Sequence, residues 1–456
     1  MVIKEVKPRK DQPDDLIHNA GQKPKAQDLW AALLFIAVTG AFIGLSIYTY
    51  STADWTLLTN PNQGSNKTKR ADGNNDLGNP FSAAGISSII VSFIVAVLFT
   101  FMYLKFMQHS PEKLIKVSFW LYFVFLILMT IFMFATGNFI GGIFGVISIV
   151  FTVFMWYGIR SQIPFLSALL STVAKVTRKY PAMITTVFIG DFASLIWSAF
   201  SAGAFMSFAV RFAIRDINGD GKVDFDNRNP AFIICVIFGL FSSYWVMNVL
   251  KYLIHVCICG VYATYYFLSD NMPSSPTMAS IKRACTTSFG SVCFGALVIT
   301  IVQLIRTAIS YARSQTNSTI AYFILCCLQC IVSCFEGLLD FFNYYAFTQV
   351  AIYGKDYCTA AKDTWNLLKQ RGLDVIINEI LIDRVIACGS IFVAVLCCCI
   401  PLIIYAIAQD YNGPWFILWA IASALMGLFI FQNVGTVINV FFIYLGWNCY
   451  NFCLFS

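Results

Sequence analysis

Charge is scarce in this chain. Only 12% of its 456 residues are Asp, Glu, Lys or Arg, against roughly 25% in soluble domains, a shortage that argues against an ordinary soluble fold. Histidine is scarcer still, with three residues: His18, His109 and His255. No H-E-x-x-H, nucleophile elbow, P-loop or strand-to-helix G-x-G-x-x-G is present. Intramembrane catalysis needs clustered nucleophiles, bases or metal ligands, so the chain reads as a non-enzyme. An extracellular disulfide framework is also lacking, because all 16 cysteines fall in apolar stretches or on the side expected to face the cytosol. The ten-residue alternating segments of a membrane barrel are absent too.

What the chain has instead is apolar length. With 58% hydrophobic and 16% aromatic residues, it carries ten stretches that each approach or exceed the 20 or so residues a helix needs to cross hydrocarbon. They run over 29–50, 82–107, 117–136, 139–159, 182–210, 231–268, 288–311, 320–349, 385–408 and 415–441. Backbone groups must pair within each segment where water is excluded, so these are helices. The fold class is therefore an all-α polytopic membrane protein with about ten transmembrane helices. Two further segments, 164–180 and 356–382, mix apolar residues with lysine and arginine and read as cytosolic amphipathic helices. A soluble hairpin resting on the bundle fits them equally. The expected organisation is a disordered cytosolic leader (1–28), a ten-helix domain (29–441) and a short cytosolic tail (442–456).

Orientation follows from charge and sequons. With the first residues in the cytosol, most of the 30 lysines and arginines fall on that side, as the positive-inside rule prefers. The two N-x-S/T sequons, at Asn66 and Asn317, then both lie outside as expected glycosylation acceptors. The net charge of +7 needs no nucleic acid, since lysines facing anionic lipid account for it. The partners expected are membrane lipids and a small solute.

Ionisable residues inside spans point to function, because charge in hydrocarbon is expensive. They are Asp191, Lys251, Arg306, Glu336 and Asp340. Glu336 and Asp340 share a helix face; they serve either to attract a cation or to bridge structurally to Arg306 and Lys251. The sixth span is over-long, about 57 Å as a straight helix against a core of about 30 Å. It must tilt, break or project. Along it lie Tyr244, Trp245, Asn248, Lys251, His255, Tyr265 and Tyr266. Such aromatic faces bind quaternary ammonium or, alternatively, sit at membrane interfaces. Asn248 and His255 would orient a ligand, and Asp191 would supply counter-charge.

Asp216, Asn218, Asp220 and Asp224 stand at positions 1, 3, 5 and 9 of a segment resembling a calcium loop, with Gly221 at position 6. Its twelfth position is Asn227 rather than the bidentate glutamate. The segment is either a structural calcium site or a polar turn between helices. No other cofactor is expected.

Several stretches resemble the choline transporter-like family. Tyr353-Gly354-Lys355-Asp356-Tyr357-Cys358-Thr359-Ala360-Ala361-Lys362-Asp363 is similar to that family's Y-G-K-N-F-C-x-S-A-K-D segment. Phe289-Gly290-Ser291-Val292-Cys293-Phe294-Gly295, followed by Ile301-Val302-Gln303-Leu304-Ile305-Arg306, resembles its L-G-S-x-x-F-G-S…I-V-Q-x-x-R. Tyr244-Trp245, Gly260 and Thr264-Tyr265-Tyr266-Phe267 stand at matching spacing. The family's acidic stretch after the last span has no counterpart in Val437-Ile438-Asn439-Val440-Phe441-Phe442 and the residues beyond. The resemblance implies ten helices, cytosolic termini and movement of choline or a related small organic cation; such movement is expected to be facilitated or, from the chemistry of the His255 side chain, proton-coupled. It also makes Trp245 the leading cation–π wall, and the plasma membrane is the expected location. The alternatives are a non-transporting membrane scaffold and a passive channel.

Overall fold

The computed structural model describes residues 26–53, 83–137, 139–160, 163–215, 224–225, 229–268, 274–408 and 415–455. Almost all of these are helical. In chain order the helices are α1 (Leu29–Thr52), α2 (Ala83–His109), α3 (Pro111–Ala135), α4 (Phe139–Ile159), α5 (Ile163–Lys179) and α6 (Ala182–Phe208). Then follow α7 (Pro230–Leu268), α8 (Pro276–Thr286), α9 (Phe289–Ser314), α10 (Thr319–Tyr353), α11 (Tyr357–Ala408) and α12 (Trp415–Phe455). A π-helical turn, Ala209–Ala213, extends α6. Strand β1 (Ile214–Arg215) pairs antiparallel with β2 (Asp224–Phe225).

Among the described residues, 9 helical segments are long and apolar enough to cross a membrane. At the fourth expected span, α4 contributes a shorter described apolar run, Gly142–Phe154. The bundle wears its apolar residues on the outside: Leu33, Ile189 and Phe154 are 68%, 69% and 72% exposed. No soluble protein tolerates so much contiguous apolar surface, whereas lipid accepts it. The all-α polytopic class expected from composition is the one observed.

The amphipathic segments behave differently from each other. In α5, Leu166, Leu170, Val173 and Val176 are buried while Lys175, Arg178 and Lys179 are exposed. The buried face packs on α2, α3 and α12. The 356–382 segment is helical, yet it is continuous with the ninth span in the 52-residue α11. Nothing between them stops a helix except Gly372, and a single interior glycine costs only about 1 kcal/mol. The backbone of 442–455 likewise continues α12 as helix. The short α8 had no signal in the hydropathy pattern.

The chain forms two compact units, Met1–Ala71 with Ile189–Asn366 and Asp72–Phe188 with Leu367–Ser456. In the second, α2 and α12 are close neighbours. There Tyr103 donates to the Val385 carbonyl at 2.7 Å and sets its ring edge-on to Phe431, 5.0 Å between centroids. The first unit holds α1, most of α6, α7, α8, α9, α10 and the start of α11. Its core gathers Trp245, Val249, Tyr252 and Val256 of α7 with Ile299 of α9 and Phe347 and Val350 of α10.

The sixth span neither breaks nor kinks into separate helices: α7 runs unbroken for 39 residues. Pro230 opens it, where a missing N–H is harmless. Asn229 caps it by accepting the Ala231 N–H at 3.0 Å and donates to the Phe212 carbonyl at 2.7 Å.

Candidate functional site

A polar stripe runs along one side of α7 at helical spacing: Tyr244, Asn248, Lys251 with Tyr252, and His255. Its upper part meets α9. The Tyr244 hydroxyl lies 3.1 Å from Thr307 Oγ1, and Asn248 Nδ2 donates to Thr300 Oγ1 at 3.0 Å and to Gln303 Oε1 at 2.8 Å. Its lower part meets α10. His255 Nε2 lies 2.9 Å from the Tyr344 carbonyl and 3.2 Å from Thr348 Oγ1. A carbonyl can only accept, so Nε2 carries a proton, and in the neutral ring Nδ1 is a bare acceptor. That Nδ1 is buried and has no hydrogen-bond partner among the described residues, a state that costs about 1–3 kcal/mol unless something else supplies a donor.

Trp245 adjoins the stripe but faces the core. It is 1% exposed, its indole N–H donates to the Cys293 carbonyl at 3.0 Å, and Phe35 and Phe241 approach its ring at 5.4 Å. In this conformation the indole is enclosed by protein on the α1 and α9 side, and it braces the helix that carries the stripe.

Four of the five intraspan charges are paired. Lys251 Nζ sits 2.8 Å from Asp340 Oδ2, and Arg306 Nη1 sits 3.0 Å from Glu336 Oε2. Both bridges join neighbouring helices, the first α7 to α10 and the second α9 to α10. The i,i+4 spacing of Glu336 and Asp340 was visible in the sequence, but the partner of each was not. Sequence reasoning passed over Tyr252 and Asn343 as well. The Tyr252 hydroxyl donates to Asp340 Oδ1, the Asn343 amide reaches that hydroxyl at 3.5 Å, and the Tyr357 hydroxyl donates to Asn343 Oδ1. A tyrosine in an apolar run carries no mark of its hydroxyl's partner, so no pattern would have found them.

The chain of polar contacts ends at the start of α1. Asp28 Oδ2 accepts from the Tyr357 backbone N–H at 3.1 Å and from Ser291 Oγ at 2.8 Å. Here the two quoted motifs meet. Gly290 lies so close to the Gln27 and Asp28 carbonyls that a Cβ would collide with backbone, and a Cβ at Gly295 would strike the Phe347 and Tyr357 rings. In the other motif, Gly354 closes α10 in the left-handed conformation, φ 64°, which glycine adopts without strain. Asp356 then caps α11 by accepting the Thr359 N–H at 3.0 Å, and Lys355 pairs with Asp363 at 2.7 Å. Burial pushes the Tyr357 phenol above its ordinary value, keeping it protonated as a donor. The motifs therefore build a corner that ties α1, α9, α10 and α11 together below the stripe.

The remaining expected residues lie elsewhere. Tyr265 is half-buried and Tyr266 is 45% exposed; an unbroken helix sets them about 30 Å along the axis from Trp245, too far to share one small ligand. Asp191, on α6, is half-buried with no ion-pair partner among the described residues. Its neighbour Gly190 lies against the Ile254 side chain, beside His255 in sequence. Of the calcium set, Asp216, Asn218 and Asp220 lie outside the described residues, and Asp224 is described only through its backbone pairing with Arg215. Asn66 also lies outside the described residues, whereas Asn317 is exposed in the turn between α9 and α10. Fourteen cysteines, all but Cys449 and Cys453, are free, and no group of three or more His, Cys, Asp or Glu able to hold a metal occurs among the described residues.

Comparison with known proteins gives this arrangement a context. The family model described as plasma-membrane choline transporter matches residues 142–450, more than half of the chain. Protein PNS1 of Gibberella zeae is 33% identical over 450 residues, covering 93% of this chain and 79% of that protein. Protein pns1 of Aspergillus fumigatus is 30% identical over 446 residues, 94% of this chain and 81% of that one. A CTL-like protein of Dictyostelium discoideum is 30% identical over 380 residues, covering 82% of this chain and 63% of the relative. The match takes in α7, the α9 motif and the α10–α11 corner, and with it the chain belongs to the choline transporter-like family.

Proposed function

We propose that this chain is a carrier that moves choline or a related small organic cation across a membrane by alternating access. The observation that carries the reading is the polar stripe on α7, which runs through an otherwise apolar spanning helix between α9 and α10. Membership in a family of transporters supports it. Entry of a cation into a negative-inside compartment is favoured by about 2.3 kcal/mol per charge per 100 mV, so facilitated uptake needs no nucleotide site.

In this reading Asn248 and His255 orient the solute. The bare Nδ1 of His255 suits a hydroxyl donor, and the same imidazole would couple protons if transport is proton-linked. Tyr244 belongs to the middle of the path, Trp245 would join it only in a conformation that opens its packing against Phe35 and Cys293, and Tyr265 and Tyr266 belong to its far end. Asp191 is the proposed counter-charge on α6. The plasma membrane is the proposed location, with glycans at Asn66 and Asn317.

The test is uptake of labelled choline into vesicles reconstituted with the protein. Saturable uptake with counterflow is expected, which separates a carrier from a passive channel. Replacing Asn248 by Leu should lower kcat/KM about tenfold or more, equivalent to about 1.4 kcal/mol, while the protein still folds. Absence of flux for every organic cation in a substrate panel refutes the proposal, and wild-type kinetics in Asn248→Leu refutes the assigned stripe.

The Asp216–Asn227 segment is proposed as a structural calcium brace. Calcium at about 1 mM, in the range of weak extracellular sites, should raise the thermal-unfolding midpoint of the purified protein. Asp220→Ala should remove that rise. A midpoint indifferent to calcium and to chelator rules the brace out.

A further inference from the structure

The ammonium of Lys251 occupies a setting suited to a mobile organic cation. Its Nζ lies 5.0 Å from the Tyr344 ring centroid and 5.3 Å from that of Tyr252. Asp340 supplies the negative charge, its two oxygens 2.8 and 3.0 Å from Nζ. Two aromatic faces and one carboxylate around a single positive charge is the chemistry that recognises alkylammonium ions. A bridge serving only to join α7 to α10 would need the carboxylate but neither ring.

The parts of this cage differ in how firmly they are held. The Tyr252 ring is 0% exposed, and its hydroxyl is fixed between Asp340 and Asn343. Tyr344 meets Tyr252 edge-to-face at 5.8 Å and the His255 ring at a tilt at 5.0 Å, both between centroids. Asp340 also accepts a hydrogen bond from the Tyr252 hydroxyl. Lys251, by contrast, is the tip of a flexible four-carbon stem, and its side chain is 41% exposed. The walls are built in, and the cation between them is the movable part.

We propose that Asp340, with the faces of Tyr252 and Tyr344, forms a binding site for a small alkylammonium ion, and that Lys251 is its tethered occupant. This rests on the organic-cation reading above and gives that reading a specific site. The lysine neutralises Asp340 when no solute is bound, so the carboxylate is never left bare in an apolar span, where an unpaired charge is costly. An arriving cation exchanges with the lysine ammonium, and the lysine returns when the solute leaves. A quaternary ammonium has no N–H to give Asp340, so it competes through charge and the two ring faces alone. The tether therefore holds affinity low, as a carrier that must release its cargo requires.

The experiment measures binding of tetramethylammonium to the purified full chain by calorimetry, with the thermal midpoint of each variant recorded. Lys251→Met, which keeps the length and removes the charge, is expected to bind about tenfold tighter than the wild type. Asp340→Asn is expected to bind about tenfold weaker, and the double variant should lose the gain, because it depends on the bare carboxylate. Tyr344→Leu removes one ring face while leaving both members of the ion pair in place, and should weaken binding several-fold; it serves as the decisive variant if Lys251→Met does not fold. Unchanged or weaker binding in Lys251→Met, or unchanged binding in Tyr344→Leu, overturns the proposal, as does absence of binding in every variant. Choline flux that persists with wild-type affinity in Lys251→Met sinks the tethered occupant and leaves the carrier reading standing. Tighter binding in Lys251→Met without flux in any variant upholds the site and removes the carrier reading.

Discussion

Asp28→Ala should destabilise the protein by about 3 kcal/mol, since hydrogen bonds to a charged group are worth about 1.5–3 kcal/mol each and two end on its Oδ2. The loss falls where four helices meet. Without the carboxylate, Ser291 of α9 and the Tyr357 N–H at the start of α11 both lose the acceptor that ties them to α1. Tyr357 also anchors Asn343, which holds the hydroxyl beside Asp340. A lower unfolding midpoint should therefore come with weaker organic-cation transport. Asp28→Asn, which keeps an acceptor but not the charge, should recover roughly half of the stability. A midpoint unchanged in Asp28→Ala would show that the corner is held by packing alone, chiefly the close approach of Gly290 to the Gln27 and Asp28 carbonyls.

The second large effect is expected at the Arg306–Glu336 pair. Glu336 has a side chain only 13% exposed, and its partner stands 3.0 Å away on α9. Removing one member leaves the other charged in an apolar span, so Glu336→Leu and Arg306→Leu should each cost about 3–5 kcal/mol. The double variant should recover most of that, because two leucines in hydrocarbon leave nothing uncompensated. The measurement is a double-mutant cycle on the unfolding midpoints, with the coupling read from the departure from additivity. Additive losses would mean that water reaches the pair and screens it. The contrast with Lys251–Asp340 is chemical. Arginine offers a rigid planar fork suited to a permanent bridge, whereas the lysine is a point charge on a flexible stem.

Much of the architecture could be read along the chain because hydrophobicity at this scale is a local property. A run of some 20 apolar residues has few alternatives to a spanning helix, and α1, α2, α3, α6, α7, α9 and α10 appear where hydropathy put them. The union of the amphipathic 356–382 segment with the ninth span, and the existence of α8, were not legible. Continuity depends on the absence of a strong breaker rather than on any positive signal, and α8 is too short and polar to register. Arg283 illustrates what α8 contributes: it reaches Thr264 on α7 at 3.4 Å, and burial lowers its guanidinium pKa.

The candidate site divides in the same way. Tyr244, Asn248 and His255 were legible as a polar stripe because helical periodicity places them on one side of α7 whatever surrounds it. Their acceptors on α9 and α10 were not, since a hydrogen bond between helices depends on the register of two segments far apart in sequence. Trp245 is the clearest instance. Its ring chemistry suggests a cation wall, while its position against Phe35, Phe241 and the Cys293 carbonyl makes it part of the core in this conformation.

Composition and hydropathy were sufficient for membrane residence and helical class, and the short motifs at 289–306 and 353–363 for the family resemblance, because each depends on residues adjacent or nearly adjacent in the chain. The pairing of Lys251 with Asp340, the Tyr344 face beside that ammonium, and the convergence of both motifs on Asp28 came from the packed bundle alone. Each joins groups 88 or more residues apart, or helices whose rotation no single segment encodes. Local free energy makes the helices, but only their mutual register brings one charge against another.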